Sequence, residues 1–219
     1  MSYRGKRALD LALTVPAFIA SLPVQAATAI AIRVAMGRPV LFRQERPGLN
    51  GQPFEMVKFR TMLNPDPARG LVTDEQRMTR LGSFLRSTSL DELPTLWNIV
   101  RGDMSVVGPR PLLVRYLDRY TPEQARRHEV RPGLTGLAQV SGRNTITWEE
   151  KFACDVEYVD HQSLRCDLAL IARTVVQVLR RDGITAEGAA TMPEFAGSES
   201  SDVTATAGAG EWDGGERDR

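Results

Sequence analysis

From Leu11 to Ile32 the chain runs 22 positions without a charged side chain. At about 1.5 Å per residue, a helix of that length reaches across the hydrocarbon of a bilayer. Two prolines interrupt the stretch, Pro16 and, at its middle, Pro23. Each lacks a backbone N–H and disturbs a helical ladder. Basic residues flank both ends: Arg4, Lys6 and Arg7 before it, and Arg33, Arg38, Arg43 and Arg46 after it. Positive flanks stay on the cytoplasmic side, and a single crossing cannot keep both there. A helix that dips into the membrane, bends at Pro23 and returns satisfies both flanks. The Ser21 and Thr14 hydroxyls are then expected to meet carbonyls freed near the bend. Two other readings compete: a cleaved signal peptide, with Val24-Gln25-Ala26 as a small-residue cleavage site, and a plain transmembrane anchor.

Taken whole, the composition is that of a globular protein. The chain has 219 residues, 42% hydrophobic and 25% charged, which suits one compact domain with attachments and excludes a polytopic membrane protein. A net charge of +1 argues against a nucleic-acid partner. The charge is segregated, however: residues 196–219 carry six acids and two bases, a net of −4, which leaves +5 on residues 1–195. Apart from Val203 and Trp212 the tail is otherwise Gly, Ala, Ser and Thr, and it is expected to be disordered. Three regions are expected: a re-entrant membrane helix over 1–38, a folded domain over 39–195 and an acidic tail over 196–219. Cys154 and Cys166 form no CxxC and are expected to be free thiols, and His128 and His161 are too few for a histidine-built metal site.

The folded domain is predicted to be α+β and rich in helix, with a small hairpin. Val40–Arg43 and Phe54–Arg60 alternate like strands around the turn residues 47–51. Period two would put Lys58 and Arg60 on one strand face. Helices are predicted over 74–85, over 90–100 with Ser89 and Glu92 as a capping box, from Thr121 to just before Pro132, from Thr147, and from Ser163 with Leu164, Leu168, Ile171, Val175 and Val178 inward and Gly183 as its stop. Short strands are predicted at 105–107 and 136–140.

The densest chemistry lies in Ser87-Thr88-Ser89-Leu90-Asp91-Glu92-Leu93-Pro94. Adjacent carboxylates at a helix start are commonly only dipole partners. Here, arginines recur beside Pro/Gly turns: Arg86, Arg110 in Gly108-Pro109-Arg110-Pro111, Arg131 before Pro132-Gly133, and Arg143 after Ser141-Gly142. A guanidinium binds phosphate through paired hydrogen bonds, and a rigid turn lowers the entropy lost on binding. Several such loops point to a multiply charged phosphate substrate. Lys58, Arg60, Arg86, Arg110, Arg131 and Arg143 are the candidates to bind it.

The chain resembles the bacterial sugar transferases known as monotopic phosphoglycosyl transferases. The resemblance rests on Lys6-Arg7-Ala8-Leu9-Asp10, Phe42-Arg43-Gln44-Glu45-Arg46-Pro47-Gly48, Lys58-Phe59-Arg60-Thr61-Met62, the run from Arg86 to Pro94, the run from Gly102 to Pro111, and Arg131-Pro132-Gly133-Leu134-Thr135-Gly136. It implies a catalytic domain over 39–195 on the cytoplasmic face of the bacterial inner membrane, where the membrane lipid holds a polyprenyl (undecaprenyl) phosphate acceptor. It implies a ping-pong transfer of a sugar 1-phosphate from a UDP-sugar, with release of UMP. Asp91 would be the nucleophile and a ligand of Mg2+, and Glu92 its assistant, positioning the metal or handling a proton. The segment from Asp182 to Gly197 is similar to the end of small members that handle N,N'-diacetylbacillosamine; a HexNAc 1-phosphate is the alternative. A membrane-anchored module that binds such ligands without turnover is the other class considered. The sequence departs from the Ser-Pro bend of many members, having Leu22-Pro23 with Ser21 one position earlier.

Overall fold

The computed structural model describes residues 3–142, 146–180 and 194–197. Its architecture is α+β, with a long N-terminal helix and two small two-stranded sheets. Helix α1 (Lys6–Met36) stays helical through Pro16 and Pro23. Its burial inverts that of a soluble amphipathic helix, which turns its apolar stripe inward. Lys6, Asp10, Thr14 and Thr28 are buried beside Ile32, whereas Leu13, Val15, Ile19, Leu22, Val24, Ile30 and Val34 are exposed. A polar stripe turned to the protein and an apolar face turned away suit a helix that meets lipid on its outside. Among the described residues α1 is the one helix long and apolar enough to cross a membrane. Near Pro23, Ser21 Oγ donates to Phe18 O (2.8 Å) and accepts from Gln25 Nε2 (2.9 Å). Thr14 takes no such part: its buried hydroxyl has no partner.

Both ends of α1 are fastened to the same body. Lys6 Nζ donates to Asp167 Oδ2 (2.6 Å) and Val107 O (3.1 Å), and Asp10 accepts from Ser105 Oγ (2.9 Å) and Val106 N (3.1 Å). Arg7 donates to the carbonyls of Ile99 and Val100. Midway, the Phe18 and Trp97 rings lie 6.0 Å apart. At the far end Ile32 and Met36 pack with Phe59 and Leu85.

Strands β1 (Leu41–Pro47) and β2 (Pro53–Phe59) pair antiparallel with Leu41 opposite Phe59, longer than the predicted hairpin. Their turn puts Asn50 (φ 54°) and Gly51 (φ 73°) in the left-handed region, which these two residues adopt most readily. The helix predicted over 74–85 is two helices, α2 (Asp74–Arg77) and α3 (Arg80–Ser87). Met78 bridges to Met62 between them, and Thr79 Oγ1 caps the second by accepting from Gly82 N (2.9 Å). The predicted 90–100 helix is also divided. Leu90–Glu92 is a 3-10 turn and α4 (Thr95–Arg101) follows it, because Pro94 has no N–H to return to Leu90. Ser89 makes no capping bond and sits at φ 56°.

Strand β3 (Ser105–Val107) pairs parallel with β4 (Gly133–Thr135). Between them, α5 (Pro122–Ala125) ends after one turn and passes into a 3-10 turn, Arg126–Glu129, well before Pro132. The strand expected over 136–140 is a helix instead, α6 (Leu137–Ser141). Helix α7 (Trp148–His161) opens on a Thr147/Glu150 capping box and buries Phe152, Val156 and Val159 as its periodicity predicts.

Helix α8 (Leu164–Arg180) is turned away from its expected face. Leu164, Leu168 and Val175 are about half exposed, at 48%, 48% and 52%, while Leu170 and Asp167 are buried. Asp167 sets that rotation, since its carboxylate accepts from Lys6, from the Tyr3 hydroxyl (2.8 Å) and from the Tyr158 hydroxyl (2.8 Å). Gly183, the expected stop, lies outside the described residues, as does most of the predicted tail. Cys154 and Cys166 are free thiols.

Removing one partner of a buried ion pair costs about 3–5 kcal/mol because the other charge is left uncompensated. Asp167→Ala is therefore expected to lower the thermal midpoint in detergent by about 10 °C. It also frees the N-terminal end of α1, which is checked by faster proteolysis between Tyr3 and Asp10.

Candidate active site

The Asp91-Glu92 pair sits on the Leu90–Glu92 turn, held by Leu90 and Leu93 packed against Phe59, Leu85 and Ile32. With these leucines inward, both carboxylates line a cavity of about 1060 Å3. Lys58, near the end of β2, donates from Nζ to Glu92 Oε1 (2.7 Å), and Arg110 Nη2 donates to the same oxygen (2.9 Å). Burial raises the Glu92 pKa, but Arg110 and Lys58 outweigh it and hold the group down at about 2. Glu92 is thus an anion at any physiological pH.

The Asp91 pKa is shifted the other way. Asp91 makes no hydrogen bond or ion pair among the described residues. Burial first, then the neighbouring Glu92 charge, push its pKa up to about 6, against the pull of Lys58, Arg86 and Arg110. One carboxylate collects the cations and leaves the other bare and destabilised as an anion. Environments that drive two adjacent acids apart in this way are common where one of them reacts.

Arg110 is fixed from behind. Its carbonyl accepts from Arg127 Nη2 (2.8 Å), and Arg127 is buried in an ion pair with Asp155 (2.7 Å). Arg86 lines the cavity and donates from Nε to Thr61 Oγ1 (3.1 Å). Lys58, Arg86 and Arg110 therefore converge with Asp91 and Glu92, as the motifs suggest.

The other basic candidates differ. Arg60 touches the cavity wall, but its guanidinium donates to Met36 O (2.6 Å), Gly37 O (2.9 Å) and Arg38 O (3.2 Å). The last carbonyls of a helix have no internal partners, and the Arg60 guanidinium supplies donors to those of α1 and the residues after it. Arg131 does not line the cavity; it is exposed and donates from Nε to Gly102 O (2.8 Å). Arg143 lies outside the described residues.

Arg46, Arg127 and Gln139 also line the cavity and were not among the sequence candidates. Arg46 stands in the Phe42–Gly48 run, so its motif was a usable signal. Arg127 and Gln139 carry no local signal, because packing alone brings them in.

No group of three or more His, Cys, Asp or Glu side chains that could hold a metal ion converges among the described residues. Mg2+ instead commonly binds through one or two carboxylates together with substrate phosphates. The bare, cavity-facing Asp91 carboxylate fits that pattern.

A family model described as bacterial sugar transferase matches residues 1–181. The uncharacterized sugar transferase EpsL of Bacillus subtilis (strain 168) is 47% identical over 194 residues, covering 88% of this chain and 96% of that protein. A UDP-glucose:undecaprenyl-phosphate glucose-1-phosphate transferase of Caulobacter vibrioides is 43% identical over 189 residues, covering 81% of this chain and 70% of the relative. A UDP-galactose-lipid carrier transferase of Erwinia amylovora is 39% identical over 196 residues, covering 81% of this chain and 41% of the longer relative.

Proposed function

The chain belongs to the bacterial sugar transferase family, and on that premise we propose that this enzyme moves a sugar 1-phosphate from a UDP-sugar to undecaprenyl phosphate by a ping-pong route through Asp91. The observation that carries the proposal is the unpartnered Asp91 carboxylate in a cation-lined cavity. An Asp91 oxygen attacks the sugar-bearing phosphorus. The bond from that phosphorus to the bridging oxygen breaks, UMP leaves with the oxygen and its electron pair, and the phosphosugar stays on the carboxylate. A phosphate oxygen of the acceptor then attacks the same phosphorus and releases Asp91.

Lys58, Arg86 and Arg110 face the charge that develops on the transferred phosphate. Glu92, held ionised, keeps two of those cations in place, which favours a positioning role over a proton-carrying one. Mg2+ held by Asp91 and the donor phosphates would offset the repulsion between an anionic nucleophile and an anionic pyrophosphate.

The re-entrant reading of α1 is supported by its two anchored ends, since both are bonded to one body and a crossing helix would separate them. Its exposed apolar face would then lie in the cytoplasmic leaflet of the inner membrane, and the site at headgroup level, where the acceptor phosphate sits.

The test is donor and Mg2+ without acceptor, with N,N'-diacetylbacillosamine, HexNAc, glucose and galactose offered in turn as the UDP-sugar. The expected result is about one UMP released per protein and a mass gain equal to one phosphosugar, with the sugar identified by which donor gives it. Turnover with acceptor but no adduct without it would overturn the two-step route.

A further inference from the structure

Far along the chain, Glu194–Gly197 returns to the folded domain and inserts one ring into it. Phe195 is 2% exposed. Its ring meets those of Phe152 (5.0 Å between centroids), Trp148 (5.5 Å), Tyr116 (5.7 Å) and Tyr120 (5.9 Å). The backbone is held as well: Phe195 N donates to Tyr116 Oη (3.3 Å), and Phe195 O accepts from Arg119 Nη1. Glu194 accepts from Arg115 Nη2 (2.8 Å) and Arg119 Nη1 (3.0 Å). Ring, backbone and flanking carboxylate thus all have partners in the domain.

Two of those rings have a second neighbour. The Arg127 guanidinium lies 5.7 Å from the Tyr120 centroid and 5.6 Å from the Phe152 centroid, an attraction between cation and ring face, and Arg127 Nη1 donates to Tyr120 Oη (3.2 Å). Arg127 in turn holds the Arg110 carbonyl (2.8 Å), and Arg110 holds Glu92 (2.9 Å). Leu112 and Leu113, which follow the Arg110 turn, pack on the same ring cluster. The turn is therefore tied to the cluster twice, and a continuous line of contacts joins Phe195 to the carboxylate pair.

We infer that Phe195 is a positioning residue for the transfer: seated in the ring cluster, it sets Arg127 and, through Arg127, the Arg110 guanidinium at the reacting phosphate. The inference deepens the transferase reading above and rests on it. Without the Phe195 ring, Tyr120 and Phe152 lose a surface they pack on, and the buried Arg127 loses the rings that fix it. A group displaced by about 1 Å from its working position can cost on the order of a hundredfold in rate, even when the change lies far from the chemistry.

The experiment follows the first step alone, with donor and Mg2+ and no acceptor, and reads the phosphosugar adduct by mass spectrometry as a final amplitude and a rate constant. Phe195→Ala is expected to slow adduct formation about twentyfold while the amplitude stays at about one per protein. In an Arg110→Ala background the same substitution is expected to change the rate by less than about twofold, because a residue that acts through another adds nothing once that other is gone. Where Phe195→Ala gives no folded protein, Phe195→Leu is measured instead, since it keeps an apolar side chain in the cluster without the ring face. A slowing of about fivefold is then expected, again lost in the Arg110→Ala background. Equal slowing in both backgrounds would place the effect away from Arg110. A reduced amplitude at the normal rate would make Phe195 a residue of the fold alone. Either result overturns the inference and leaves the transferase reading intact, whereas no adduct in the unmodified protein would overturn both.

Discussion

Asp91→Asn is expected to abolish the phosphosugar adduct, reduce turnover by at least about a thousandfold, and make the folded protein more stable. Loss of a nucleophile commonly costs several powers of ten, and asparagine has no anionic oxygen to form the acyl phosphate. The gain in stability follows from the direction of the pKa shift. The folded state raises the Asp91 pKa to about 6, above its unfolded value, so folding binds a proton more tightly than unfolding does. Its contribution is therefore favourable below the unfolded value, and it turns unfavourable as pH rises through about 6 and the group ionises. Asparagine removes that penalty, worth on the order of 1–2 kcal/mol at neutral pH after solvent screening. A rise of a few degrees in the thermal midpoint at pH 7.5, shrinking toward pH 5, is the expected signature. The same titration predicts that adduct formation in the unmodified protein increases with pH through about 6, as the nucleophile becomes anionic. A variant that kept full turnover would return the chain to the class of non-catalytic binding modules. One that lost stability equally at both pH values would mean that Asp91 is a structural carboxylate.

The carboxylate pair was legible because its residues are adjacent in sequence and stand among arginines in turns. Its division of labour was not legible. That one acid gathers Lys58 and Arg110 while the other stays bare depends on a strand and a loop meeting at one oxygen, from positions 34 and 18 residues away. Arg60 shows the same limit from the other side. Strand periodicity placed it beside Lys58, but the carbonyls of α1, more than twenty residues earlier, claim its guanidinium.

The membrane helix carries its orientation in its sequence. Lys6, Asp10 and Thr14, then two turns later Ser21, Gln25 and Thr28, fall on one face of the helix, a polar stripe on an apolar helix, and that stripe is the side turned to the protein. The rotation of α8 had no such trace. A hydrophobic stripe predicts burial only when no buried charge demands the opposite face, and Asp167 does so here through residues 161 and 164 positions away.

The Arg131-Pro132-Gly133 motif separates two explanations for its own composition. If the arginine binds a phosphate, Arg131→Ala should cost turnover and Gly133→Ala should matter less. The packing predicts the reverse. A Cβ on Gly133 would stand 2.1 Å from Gly108 N and 2.4 Å from Thr135 O, all backbone atoms that no rotamer can move aside. The same strand pairing holds Ser105 N to Pro132 O and Gly108 N to Thr135 O at 2.9 Å each, so the β3–β4 pair and the Arg110 turn would have to part together. Overpacking of that kind costs about 3 kcal/mol or more. Gly133→Ala is expected to lower the thermal midpoint by about 10 °C and to remove turnover by displacing Arg110. Arg131 is exposed, and among the described residues its guanidinium donates to Gly102 O. Arg131→Ala is expected to keep stability within about 0.5 kcal/mol and turnover within about twofold. A folded Arg131→Ala protein with turnover down tenfold would place that arginine on a substrate phosphate after all. A Gly133→Ala protein of unchanged midpoint would remove close backbone packing as the reason for the glycine.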